Sequence, residues 1–449
     1  MPLFEFPELL CAQVGLLLVS IRWMLRRNDE TLLLIHTFLF YVTGYRYLTV
    51  ANGWNRWVDL THFGFNAIDE NLALQALSYI VLGQICLTLS YMYAQTQVIP
   101  VLQPIRDRPL FRWLRWKAIL LGLLCLPLVV LIRARVASQV GGGRSLAFEV
   151  SGYLNLFPMV LIGVAALIIC LWKFGGLPTF THKVSAILIV FGVVYLTYTP
   201  HSRFNFLAWI IACGIILSSS YRAKTRLISF FLFAVLGMSL FAVAGATRNF
   251  DRTRGDLNQI AIERALSAED GNMLDGFVLL RQVYPKQLDF SLGMQHLEIL
   301  MRPIPRSLWP GKPVGGYMNK LGNSIRGGKG TLGISPTVFG IFYSEGGILG
   351  IIFFSGLYGI IWAKIIRSLI DLHPFASILA RAIFCAALVP ILRSGDIAGN
   401  YAWIGMAFWP CFGVLWYQRC YFQSFYRQQP EIETFKTIEK SQNSISQKT

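Results

Sequence analysis

Residues 227–246 read LISFFLFAVLGMSLFAVAGA, a run of twenty positions without a single charge. A helix rises about 1.5 Å per residue, so the run is about 30 Å long, the thickness of a bilayer's hydrocarbon core. It is bracketed by Arg222, Lys224 and Arg226 on one side and Arg248 on the other. The stretch therefore reads as one membrane crossing with cations at its ends, and it sets the fold class for everything around it.

Similar windows occur at 7–24, 31–51, 71–95, 117–133, 150–172, 184–200, 203–220, 338–363, 375–392 and 400–418. The reading is an all-α polytopic membrane protein of about eleven transmembrane helices. Composition agrees: 55% of the 449 residues are hydrophobic and 14% are charged, against about a quarter charged in soluble domains. The net charge of +17 does not call for a nucleic-acid partner. Its basic residues sit in short loops between apolar runs, as the positive-inside rule expects. The clusters alternate: Arg26 and Arg27; Arg106, Arg108, Arg112, Arg115 and Lys117; Lys173 and Lys183; Arg222, Lys224 and Arg226; Lys364 and Arg367. Placing them in the cytoplasm gives a multi-pass cytoplasmic-membrane protein with an outside N-terminus, a retained first helix and a cytoplasmic C-terminus. The eight cysteines show no CxxC or other paired spacing, so neither disulfides nor structural zinc is expected.

The same alternation divides the chain into transmembrane helices over 1–246, an extracytoplasmic connection over 247–337, further helices over 338–428 and a polar, disordered tail over 429–449. The connection is far longer than ordinary loops. Its segments IAIERALSAED, MLDGFVLLRQVYP and FSLGMQHLEILM have amphipathic helical spacing, which predicts short helices lying along the membrane surface. It also holds MRPIPRSLWPGKP, residues 301–313, where Pro303, Pro305, Pro310 and Pro313 exclude a helix interior and make a rigid, extended strap. Six cations face this side: Arg203 and Arg248 at helix ends, and Arg281, Arg302, Arg306 and Lys312 in the connection. An arginine fork matches phosphate oxygens bidentately, so the set points to an anionic ligand. A lone arginine at a helix end could equally rest in the headgroups.

Residues 276–313, and above all Ile304, Pro305, Arg306, Trp309, Pro310, Lys312 and Pro313, resemble the long outer loop of bacterial oligosaccharide repeat-unit polymerases of the Wzy type. Ser202 and Arg203 resemble that family's hairpin-tip arginine, and SPTVFGIFYSEGGILG, residues 335–350, resembles its next helix. The resemblance implies a GT-C-like glycosyltransferase acting on an undecaprenyl-pyrophosphate-linked oligosaccharide, with no cofactor and no metal. It implies Arg203, Arg306 and Arg248 as catalytic groups stabilising the pyrophosphate leaving group. Arg281, Arg302, Lys312, Trp309 and Tyr343 would bind substrate, and a chain-length regulator would be a partner protein. One departure stands out: the family often has an acid directly after the glycine, whereas here Gly340 is followed by Ile341 and the acid is Glu345.

Candidates for the general base are Glu345, His201 and Asp396, with Asp251 and Asp256 also on the outer side. Gly141 to Gly143 lack a following GK[ST] and read as an outer loop. Other classes remain: an O-antigen ligase-like transferase, which would differ in its acceptor, and a glycolipid transporter or a non-catalytic export subunit. A transporter would be expected to show repeated halves and broken helices, and neither is evident in the sequence.

Overall fold

A run of apolar residues in lipid has no water to satisfy its backbone, so it must close its hydrogen bonds internally. The computed structural model shows that outcome. It describes residues 6–61, 64–101, 108–140, 157–198, 203–247, 262–263, 266, 271–301, 304, 308–309, 334–393, 397–417 and 419, and no strand occurs among them. The helices are α1 (Phe6–Arg27), α2 (Thr31–Leu39), α3 (Arg46–Ala51), α4 (Glu70–Ala94), α5 (Arg108–Val140), α6 (Val160–Lys173) and α7 (Phe180–Thr197). They continue with α8 (Arg203–Ser218), α9 (Ala223–Thr247), α10 (Met273–Val283), α11 (Met294–Met301), α12 (Thr337–Ile370) and α13 (Pro374–Arg393), then α14 over 397–417.

Seven helices, α1, α4, α5, α7, α9, α12 and α13, are long and apolar enough to cross a membrane. The other apolar windows are helical too where they are described: α14 is continuous over 397–417, and the rest are shorter or interrupted. The 31–51 run passes through a π-helical turn, Phe40–Tyr45, between α2 and α3, and α6 and α8 are short. Helix α13 is buried over almost its whole length, as expected of a helix apolar on every side. The faces of α5, α7 and α9 leave leucines and phenylalanines such as Leu131, Phe191 and Phe231 bare, which suits lipid contact.

Small residues let α4 and α12 approach closely, the way membrane helices associate. A Cβ on Gly359 would lie 2.5 Å from the Leu87 carbonyl oxygen, so only glycine fits there. Between α1, α2 and α4 runs a string of buried polar side chains. Gln13 donates to Thr43 at 3.0 Å and to Gln84 at 3.1 Å, and His36 meets Thr88 at 2.8 Å.

Contacts sort the helix ends into two groups. At one end Ile99 N donates to Arg27 O at 2.8 Å, Arg226 Nη1 to Asn28 O at 3.0 Å, Arg115 Nε to Gly176 O at 2.9 Å, and Lys173 Nζ to Ile216 O at 2.6 Å. Glu30 binds Arg226 and Arg381 there, each at 2.9 Å and fully buried. At the other end Tyr45 Oη donates to Leu266 O at 2.7 Å, and Asn66 N to Gln282 Oε1 at 2.9 Å. The first end gathers Arg27, Arg115, Lys173 and Arg226 of the basic clusters, and the second carries α10 and α11.

Two expectations need correction. Helix α10 does not keep one exposed polar face: Leu274 to Leu280 are all buried, because the helix packs against both α4 and α12 and its one charged residue there, Asp275, is neutralised by Arg46. And α12 is a broken helix, a feature the sequence reading did not find. Gly346 and Gly347 leave helical geometry, Gly347 at φ +64°, a left-handed conformation open to glycine at little cost.

Candidate functional site

The break in α12 creates the site. The half-helix 337–345 stops at Glu345, and the carbonyl groups it leaves without intrahelical partners are taken by the chain entering α11. Ser291 N donates to Ser344 O and Leu292 N to Glu345 O, both at 2.9 Å. Leu292 and Gly293 adopt positive φ, +47° and +90°, and this turn aims Gly293 N at Glu345 Oε2, 2.5 Å away. The second carboxylate oxygen, Oε1, lies 2.9 Å from His296 Nδ1.

The pair is asymmetric. The Glu345 side chain is 0% exposed and the His296 side chain 18%. With the carboxylate accepting, a neutral imidazole carries its proton on Nδ1 and leaves Nε2 as an acceptor. That Nε2 has no hydrogen-bond partner among the described residues. The ring is held flat against Phe354, centroids 4.2 Å apart and planes 2° apart, with Tyr358 edge-on at 5.8 Å. On the neighbouring side Gln295 donates to Ser344 Oγ at 2.7 Å and to Ser291 Oγ at 3.0 Å.

Helix α11 turns its polar side inward: Gln295 and Glu298 are buried. Its outward side is apolar, with Met294 at 46%, Leu297 at 48% and Leu300 at 76% exposure. That inversion suits a helix resting on lipid while presenting polar groups to protein. Burial pushes the nearby Tyr284 hydroxyl up to about 12; a hydrogen bond with Ser291 opposes the rise, and the charges of Glu345 and Glu298 add to it. Tyr284 is therefore a proton donor at neutral pH and not a base.

Helix α10 is fixed beside this by Arg46. Its guanidinium meets Asp275 at 3.0 Å through both Nε and Nη2, donates to Arg56 O at 2.7 Å and lies 5.8 Å from the Trp57 ring centroid. Val58 N adds a further bond to Asp275 at 2.8 Å.

Of the residues expected at the site, Arg281 sits 4.9 Å over the Tyr79 ring and donates to Gln75 Oε1 at 2.6 Å, so it ties α10 to α4. Tyr343 is half-buried in an aromatic group with Tyr79, Phe277 and Phe290, at 6.0, 5.8 and 6.0 Å. Trp309 is half-buried in irregular backbone. Arg203 opens α8, its side chain outside what is described. Arg248, Arg302, Arg306, Lys312, His201, Asp396, Asp251 and Asp256 lie outside the described residues. No three His, Cys, Asp or Glu side chains gather as a metal site among the described residues. Sequence reasoning passed over His296, Arg46 and Asp275. The signal for His296 was the SEGG of residues 344–347, an acid before a double helix breaker.

The fold and these contacts define a multi-pass membrane protein, all-helical among the described residues, with a buried glutamate paired to a half-buried histidine at a helix break. The chain matches no protein-family model, no curated protein and no solved structure.

Proposed function

We propose that this protein polymerises undecaprenyl-pyrophosphate-linked oligosaccharide repeat units at the outer face of the bacterial cytoplasmic membrane. The observation that carries the reading is where the strap MRPIPRSLWPGKP begins. It follows directly on α11, the helix whose apolar side is bare and whose polar side closes on Glu345. A bare apolar side suits a helix at the lipid surface, and on this reading the residues that follow it meet a phosphate at headgroup depth while the polyprenyl tail stays in the bilayer.

On this reading an acceptor hydroxyl attacks the anomeric carbon of the lipid-linked chain and undecaprenyl pyrophosphate leaves. Arg306, Arg203 and Arg248 stabilise the charge developing on the pyrophosphate, each bond contributing about 1.5 to 3 kcal/mol. A guanidinium stays protonated at any relevant pH, so it clamps and does not transfer protons. Arg302 and Lys312 assist from the strap, Trp309 and Tyr343 offer rings to sugars, and a chain-length regulator is the expected partner. Eleven crossings, an outside 247–337 connection and a cytoplasmic tail complete the proposal.

The test is reconstitution in liposomes with a lipid-linked repeat unit. A ladder of products is expected, and Arg306→Lys or Arg203→Lys should lose it at normal protein level, because lysine keeps the charge but not the fork. If both lysine variants and both alanine variants still give full-length polymer, the arginine clamp is wrong. The broken α12 also favours a second reading, a glycolipid transporter, since discontinuous helices line transporter sites. That reading predicts movement of the lipid-linked glycan between leaflets without any ladder.

A further inference from the structure

We propose that His296 is the general base of the transfer and that Glu345 is its positioning residue. The proposal rests on the polymerase reading and adds the group that reading lacked.

Three features of the pair support it. Glu345 cannot itself reach a substrate: it is fully buried, and its two oxygens are taken by His296 Nδ1 and by Gly293 N. It acts only through the imidazole, whose tautomer it fixes. The imidazole is held by Phe354 and Tyr358, so its plane is set before any ligand arrives. And Nε2, the acceptor this tautomer creates, is enclosed without a partner among the described residues. An enclosed orphan acceptor costs free energy until a donor fills it, and a sugar hydroxyl is such a donor. Among the described residues the titratable groups in contact with the ring are Glu345 and Tyr358 of α12, and Tyr401 of α14 bonds Tyr358. Tyr284, which feels the charges of Glu345 and Glu298, is held protonated.

The step balances without a co-reactant. The acceptor hydroxyl oxygen forms a bond to the anomeric carbon while its proton passes to His296 Nε2. The bond from that carbon to the pyrophosphate oxygen breaks, and its electron pair leaves with undecaprenyl pyrophosphate. The imidazolium, stabilised by Glu345, then returns its proton to water.

Azide separates the base from the rest of the site, because it attacks an anomeric carbon without a proton to lose. Purified full-length protein in liposomes is given lipid-linked repeat unit, with and without sodium azide, and both the sugar ladder and glycosyl azide are measured. Wild-type protein should make both. His296→Ala should lose the ladder by about 10²- to 10⁴-fold yet form glycosyl azide at close to the wild-type rate, which also shows that it is folded and binds donor. Glu345→Gln should lower the ladder and spare the azide product. A His296→Ala variant that keeps the ladder, or that loses both products together, overturns the assignment. Wild-type protein that makes neither product overturns the polymerase reading and the assignment with it.

Discussion

Arg46 and Asp275 stand 229 residues apart in the chain and meet through two 3.0 Å hydrogen bonds, with both side chains buried. The pair anchors α10 to the bundle and so sets where α11 and His296 begin. Removing one partner of a buried pair strands the other charge, at a cost of about 3 to 5 kcal/mol. Arg46→Ala and Asp275→Asn should each lower the melting temperature in detergent and expose residues 271–301 to protease. The double variant Arg46→Met with Asp275→Leu should recover most of that loss. A double variant no better than the singles would mean that the pair's polar geometry, and not charge neutrality, holds α10.

At the opposite end Glu30 bridges Arg226 and Arg381. Burial alone would push its carboxyl up, but the two guanidiniums more than offset this and hold it below the usual carboxylate range. A carboxylate with a depressed folded value contributes stability that is present above its unfolded value of about 4.3 and is lost as pH falls through the lower folded value. Stability of the wild-type protein should therefore fall below about pH 4.3, and Glu30→Gln, which leaves two buried arginines facing each other, should be less stable at pH 7. Thermal melts of both proteins between pH 3 and 7 check this. The Glu30 contribution is absent if the two curves run parallel throughout.

The apolar windows were legible because lipid leaves a long apolar run no choice but helix, and each window holds one. Periodicity also located α10 and α11, but it gives a helix a face without saying where that face points. In α11 the polar residues Gln295 and Glu298 turn inward and the leucines outward, the reverse of a helix on a soluble protein. In α10 Asp275 is buried as well, because it finds Arg46 from a helix far away in sequence, a pairing that no local pattern encodes. The acid Glu345 was legible as a candidate. Its partner was not, since His296 approaches it only through the turn at Leu292 and Gly293.

That turn depends on Gly347. Its φ of +64° makes any side chain there strained. Gly347→Ala should cost about 1 to 3 kcal/mol of stability and, by letting α12 straighten, pull Glu345 from His296. The expected signature is a fall in ladder formation much larger than the shift in melting temperature. An unchanged ladder would show that the break does not position the pair.

The two groups of helix ends predict the orientation in the membrane. One end collects Arg26, Arg27, Arg115, Lys173 and the Arg222–Arg226 turn, while α10, α11 and the 52–69 connection lie at the other. Basic loop residues are retained in the cytoplasm, so the end bearing α10 and α11 should face outward. Lys286, exposed between α10 and α11, and Tyr221, exposed between α8 and α9 at 48%, report on the two ends. Each is changed to cysteine in a variant lacking the eight native cysteines, and intact cells are treated with an impermeant maleimide. Lys286→Cys should label in intact cells and Tyr221→Cys only after permeabilisation. The reverse pattern would put α11 and its strap in the cytoplasm, on the wrong side for a glycan assembled outside. Labelling of both residues in intact cells would mean that the two groups of ends do not lie on opposite sides of the bilayer.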